Sequence, residues 1–133
     1  MIPPLDDLGR LPPGIHRGTL DEIDTRFGQL SGIRRVQMES VRWLVEIAVR
    51  AGAERIVLNG SFVTEIMEPN DVDCVLLFQP GRKKDPLAVR ELKAGLPFLD
   101  IVMAAPKRFE RYVAQLFAAD RHGAAKGMVE DLL

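Results

Sequence analysis

Asn59-Gly60-Ser61-Phe62-Val63-Thr64-Glu65-Ile66-Met67-Glu68-Pro69-Asn70-Asp71-Val72-Asp73-Cys74-Val75-Leu76-Leu77-Phe78 is the stretch that decides the reading of this chain. A short β-branched run, residues 55–58, leads into it. A longer apolar run, residues 72–78, closes it. Between them lie a turn signal, Asn59-Gly60-Ser61, and two acids on alternate positions, Asp71 and Asp73. Alternate side chains on a strand share one face, so both carboxylates fall on one side of a sheet, at the mouth of an apolar strand. Carboxylates beside a buried run are costly unless something compensates. A metal ion bound to a nucleotide is one such compensation.

Upstream of this stretch, residues 1–19 hold Pro3, Pro4, Pro12, Pro13, Gly9, Gly14 and Gly18. They read as an extended arm or loop, not a helix, whose apolar residues (Ile2, Leu5, Leu8, Leu11, Ile15) can dock on a body formed by residues 20–133. Thr19 before Leu20-Asp21-Glu22 is an N-cap signal with acids in the first turn, and the short helix it opens stops at Gly28. Ser31 or Gly32 opens the longest helical pattern. Ile33, Val36, Ser40, Val41, Leu44, Val45 and Ala48 recur at helical spacing, while Arg34, Arg35, Glu39, Arg42, Glu46 and Arg50 mostly fill the other face. Gly52 ends it.

Downstream, residues 62–66 have room for one or two helical turns, and Pro69 biases Glu68 away from helix. Residues 71–78 form a strand. Arg82-Lys83-Lys84 lies in a basic connection, residues 87–94 form a helix, and residues 98–103 form a third strand carrying Asp100. Pro106 suits the first turn of a last helix with the apolar stripe Phe109, Tyr112, Val113, Leu116 and Phe117, ended by His122-Gly123. Met128-Val129 with Leu132-Leu133 can add an edge strand. Helices alternating with strands indicate an α/β (α+β) domain with a short mixed sheet flanked by helices.

Composition narrows the classes. The chain has 133 residues, the size of one domain, a formal net charge of −1 and 47% hydrophobic residues. With a pI near 6.1, charge-driven binding to nucleic acid or membrane surfaces is not the theme. The single cysteine, Cys74, lies in an apolar run and reads as a small buried residue. No Cys/His zinc spacing, signal-peptide pattern or run near the roughly 20 residues of a membrane span is present, so a reducing cytoplasm is expected.

Asp71, Asp73 and Asp100 are the candidate metal ligands and catalytic acids. Converging on one sheet face, each pair at about 6 Å costs about 3 kcal/mol at an effective dielectric near 20. Magnesium, or manganese, suits such oxygen donors and keeps sites for water and phosphate. Gly60 lets backbone approach a phosphate. Free N–H groups at a helix start attract anions, and the Ser61 hydroxyl adds a donor.

The motif Gly60-Ser61, then Asp71-Val72-Asp73 on a strand and a third acid, Asp100, on a later strand resembles the polymerase-β-like nucleotidyltransferase superfamily. The chain's size is similar to that of the minimal nucleotidyltransferases. Leu11-Pro12-Pro13-Gly14-Ile15-His16, residues 22–27, Gly60-Ser61-Phe62-Val63-Thr64 and Pro69-Asn70-Asp71-Val72-Asp73 resemble a narrower bacterial family of such domains, DUF6932. The resemblance implies a polymerase-β-like fold and metal-dependent transfer of a nucleotidyl group, usually adenylyl, from a nucleoside triphosphate to a hydroxyl. Asp71 and Asp73 would hold metal. Asp100 would share it and help deprotonate the acceptor, and Gly60, Ser61 and Thr64 would bind the nucleotide. It also implies a protein acceptor, such as a small helical (HEPN-like) toxin whose antitoxin this would be, or an RNA acceptor. Related domains carry a basic residue shortly after Gly-Ser. Here residues 62–68 hold two acids and no base, leaving Arg82, Lys83, Lys84 and Arg108 as candidates to supply the charge. The alternative is an inactive member serving as an interaction module, a reading favoured by Glu65 and Ile66.

Each feature has a plainer explanation when taken alone. Gly60-Ser61 is a common turn, Asp71 a turn residue and Asp73 a surface acid of an edge strand. His16 is a loop residue, and His122 caps a helix end. Arg82-Lys83-Lys84 is a solvated loop, Trp43 packs at a helix border, and Phe109 and Tyr112 are core before they are base-stacking groups. It is the joint spacing that favours a site.

Overall fold

Alternation along residues 72–77 sorts this strand's apolar side chains onto two faces of a sheet, and each face finds its own cover. Val72, Cys74 and Leu76 pack with Met38, Val41, Leu44 and Ile47 of the long helix. Val75 and Leu77 pack with Val57, Ala104, Phe109 and Met128 on the other side. The computed structural model describes residues 1–116 and 126–133. Its strands are β1 (Gly14–Gly18), β2 (Arg55–Asn59), β3 (Val72–Leu77), β4 (Leu99–Ala104) and β5 (Gly127–Asp131). They form one mixed sheet in the order β1-β5-β2-β3-β4. β1/β5 and β3/β4 are parallel, and β2 runs antiparallel to both β3 and β5. Helices α1 (Leu20–Ile23), α2 (Gly32–Ala51), α3 (Pro86–Ala94) and α4 (Pro106–Arg111) complete an α+β fold, the class expected.

Local signals place most boundaries. The Thr19 side chain accepts from Glu22 N (3.1 Å) at the start of α1, which runs on as one π turn, Asp24–Gly28. Ser31 caps α2, and Gly52, at φ 96°, ends it in the left-handed conformation. Pro86 and Pro106 sit in the first turns of α3 and α4. α4 continues as a π turn, Tyr112–Leu116. Phe117, His122 and Gly123, expected at the end of that helix, lie outside the described residues. Among the described residues no helix is long and apolar enough to cross a membrane.

Four expectations are corrected. The extended arm is not wholly irregular, because residues 14–18 form the edge strand β1, paired in parallel with β5. β5 is not an edge. It lies between β1 and β2 and is buried along its length, while Leu132 and Leu133 stay outside it and exposed. Burial of its acid Glu130 is offset by Arg55, whose Nε (3.0 Å) and Nη2 (2.6 Å) bind the carboxylate in bidentate form.

The buried stripe of α2 is also rotated from the expected one. Arg34 and Gln37 are buried while Val36 is exposed. Finally, residues 62–66 do not make helical turns beyond a single 3₁₀ turn, Ser61–Val63. The cause is the same buried arginine. The Arg34 guanidinium donates to the carbonyls of Phe27 (3.0 Å), Ser61 (3.2 Å), Phe62 (2.7 Å) and Thr64 (2.8 Å), and to Ile66 O through Nε (2.9 Å) and Nη2. Carbonyls turned toward a guanidinium are not available to a helical ladder.

Candidate functional site

Each expected acid reaches the site through a different element. Gln37 Nε2 donates to Pro69 O (2.6 Å), and Ser31 Oγ donates to Met67 O (2.7 Å). With Arg34, three residues from the first turns of α2 thus fix the loop that delivers Asp71. The strand begins one residue later than expected, at Val72, so Asp71 stands just outside it, exposed. Asp73 pairs in register with Asn59 of β2 on one side and with Asp100 of β4 on the other. In-register neighbours in a sheet share a face. Asp73 and Asp100 therefore lie on the face covered further along by α4, and strand alternation puts Asp71 on that side too.

Gly60 closes against Asp73. Its φ of 85° lies where residues with a side chain are strained, and a Cβ there would stand 2.6 Å from Asp73 Oδ2. Glycine thus serves close approach to the carboxylate itself. Burial pushes the Asp73 carboxyl above its ordinary pKa. The Asp100 and Asp71 charges push it the same way, and the Lys126 ammonium pulls it back.

The nucleotide-binding candidates divide. Ser61 opens the 3₁₀ turn beside Gly60, with its carbonyl held by Arg34 and by the Thr64 hydroxyl (2.6 Å). Thr64 is buried, and its oxygen also accepts from Ile66 N (3.2 Å), so its polar atom is engaged inside the loop. The arm helps hold this loop: Glu65 N donates to Gly9 O (3.0 Å), and Arg10 pairs with Thr64 in a β-bridge.

The structure does not bring the expected cations to the acids. Arg82, Lys83 and Lys84 follow the C-terminal end of β3, whereas Asp73 stands at its start. Arg82 pairs there with Glu54 (3.6 Å), and the Lys84 ammonium lies over the Phe78 ring at 5.5 Å. Arg108 donates to Met103 O (3.4 Å) at the far end of β4. His16 is occupied with Pro12 O (2.6 Å). Lys126 was not a sequence candidate; its position becomes informative only once β5 is known to lie beside β2. Arg34 was assigned to the wrong face, and nothing local marks it as buried.

The donor chemistry is that of a hard cation, since every candidate ligand is a carboxylate. Among the described residues, however, no group of three or more His, Cys, Asp and Glu side chains is arranged to hold a metal ion. The expected three-carboxylate cluster is thus not preformed: Asp71 lies off the strand, and Asp73 and Asp100 are set by the strand spacing. Magnesium is ordinarily held by one or two carboxylates together with phosphate oxygens and water. Carboxylates of this kind fit a hard cation that phosphate oxygens and water help to hold.

Fold and site together define a mixed-sheet α+β domain with an acidic end, made by neighbouring strands and closed by a glycine turn. The chain belongs to the family of unknown function DUF6932, whose model matches residues 3–132. Comparisons with curated proteins and with solved structures find no match.

Proposed function

We propose that the protein is a metal-dependent nucleotidyltransferase of the polymerase-β-like class, moving an adenylyl group from ATP to a hydroxyl of a protein acceptor. The observation that carries this reading is the in-register pair Asp73–Asp100, with Gly60 closed against Asp73 and Asp71 at the strand mouth. A sheet end of this kind offers oxygen donors beside backbone that a phosphate can approach. In the reaction the acceptor oxygen attacks the α-phosphorus and the bond from that phosphorus to the bridging oxygen breaks. Pyrophosphate leaves, and the hydroxyl proton passes to a carboxylate and on to solvent. Asp100 is the assigned acceptor of that proton, while Asp71 and Asp73 would hold the metal–nucleotide. The bound ion would supply charge neutralisation at the phosphates. A small helical toxin is the acceptor class to try first, and RNA ends the next.

A second reading has its own support. The lack of a base in residues 62–68, and of a three-carboxylate cluster among the described residues, favour a catalytically silent domain that binds a partner protein. One experiment separates the two. The protein is incubated with labelled ATP, magnesium and candidate protein or RNA acceptors, beside an Asp71→Ala/Asp73→Ala double variant. Label transfer that the variant loses supports the enzyme. Absence of any metal or nucleotide binding by the wild type defeats it in favour of the interaction module.

A further inference from the structure

A triphosphate approaching Asp71, Asp73 and Asp100 meets like charge, and residues 62–68 offer it only two more acids. The guanidinium that reaches this loop, Arg34, is buried and spent on backbone carbonyls. The sheet itself supplies a cation from the other direction. β5 runs antiparallel to β2 with Leu58 opposite Val129. One residue outward in the same register, Met128 falls beside Asn59, whose neighbour on the other side is Asp73, and Lys126 stands two residues before Met128, just outside β5. Met128 packs with Val57, Val75 and Leu77, on the face of Asp73 and Asp100, so the chain enters β5 beside that face.

The segment is held there. Gly127 N donates to Leu11 O (3.1 Å), and a Cβ on Gly127 would collide with the carbonyl of Pro12. Lys126 itself is only half-buried and close enough to Asp73 for its charge to act on that carboxyl.

We infer that Lys126, at the entrance to β5, is the triphosphate-binding cation of the site, where the residues after Gly-Ser offer none. This rests on the nucleotidyl-transfer reading and deepens it. Without nucleotide the ammonium faces Asp73. With nucleotide it contacts the β- and γ-phosphates, and Asp71 and Asp73 would hold the accompanying ion. Lys126 thereby distinguishes a triphosphate from a monophosphate, since only the longer chain reaches past the carboxylates. A flexible ammonium on a four-carbon stem suits this exchange of partners better than a fixed fork.

The test is titration calorimetry in excess magnesium with an ATP analogue carrying a methylene between its α- and β-phosphorus, and with AMP. It uses the wild type, Lys126→Met and Lys126→Arg, each checked for an unchanged thermal melt. The expected result is a loss of about tenfold or more in analogue affinity for Lys126→Met, as for one charge-assisted hydrogen bond. AMP affinity is unchanged, and Lys126→Arg recovers most of the loss. Analogue binding by the wild type that Lys126→Met leaves intact overturns the role of Lys126 and leaves the transfer reading standing. An equal loss for the analogue and for AMP overturns the triphosphate assignment in favour of a general effect on the site. No nucleotide binding by the wild type overturns both.

Discussion

Asp131 closes β5 almost completely buried, at 3% exposure, and its Oδ1 has no hydrogen-bond partner among the described residues. Burial raises its pKa to about 6 from 3.8, against the pull of Arg42. Arg42 cannot fully serve it, because that guanidinium already binds Asp24 (2.7 Å) and Asp21 (3.0 Å). A folded-state pKa above the unfolded one means that folding favours the protonated acid. The stabilisation is complete below about pH 4 and is lost as the pH rises through about 6. A shift of about two units corresponds to at most about 3 kcal/mol of destabilisation above pH 7. Asp131→Asn removes the charge at nearly constant shape. At pH 8 it should stabilise the protein by about 1–3 kcal/mol, or up to about 10 °C in Tm for a domain of this size. At pH 4 the two proteins should differ by less than about 0.5 kcal/mol. Urea unfolding of both proteins between pH 4 and pH 8 measures the difference, in which other titrating groups cancel. A stability difference independent of pH refutes the reasoning: Asp131 would then be ionised and satisfied in the folded protein.

Other outcomes follow from the loop and the sheet. Arg34→Met removes the guanidinium donor from the carbonyls of Phe27, Phe62, Thr64 and Ile66 and should cost about 3 kcal/mol or more in denaturant unfolding. Limited proteolysis of that variant should cut within residues 61–70 first. Gly60→Ala combines a positive φ with a clash on Asp73 Oδ2, so it should destabilise by about 1–3 kcal/mol. Its acid-end chemical shifts should move more than those of a control at Gly81, where a Cβ meets nothing within 4 Å. The Cys74 thiol is pushed well above its ordinary range by burial, so a thiol reagent should fail to label native protein and label it fully in denaturant.

What could be read from the sequence, and what could not, has a physical pattern. β2, β3 and β4 were legible because each presents an apolar run bounded by turn residues, and α2 because Ser31 and Gly52 punctuate a long periodic segment. The acids Asp73 and Asp100 were legible as alternating interruptions of such runs, and register makes them neighbours. The face of α2 was misread at Arg34 and Gln37 because hydrophobicity sorts side chains by their affinity for water. These two are buried for a different reason, the supply of donors to the carbonyls of a loop. β5 was read as an edge because Glu130 and Asp131 look like solvent residues. One is neutralised by Arg55, some seventy-five residues away in sequence, and the other is carried at a cost. Lys126 was invisible for a related reason: its significance lies in the strand next to it, and strand order is not written in any local window.

The charge balance at the acid end leads to a last prediction about metal dependence. Asp71, Asp73 and Asp100 outnumber Lys126, whose charge acts on Asp73, so the end as a whole is anionic before any ligand arrives. A nucleoside triphosphate adds several negative charges. Each carboxylate–phosphate pair at about 6 Å costs about 3 kcal/mol at an effective dielectric near 20, more than one ammonium offsets. Under the proposed function, nucleotide binding without a divalent ion should therefore be undetectable. Binding with it should be strongly coupled, and by linkage ATP must raise magnesium affinity by the same factor by which magnesium raises that of ATP. Titrating each ligand in the presence and absence of the other measures both factors. Since no three-carboxylate cluster is arranged there among the described residues, magnesium alone should bind weakly, so the coupling should exceed tenfold in both directions. ATP binding that survives a chelator unchanged would mean that the nucleotide sits elsewhere, away from Asp73.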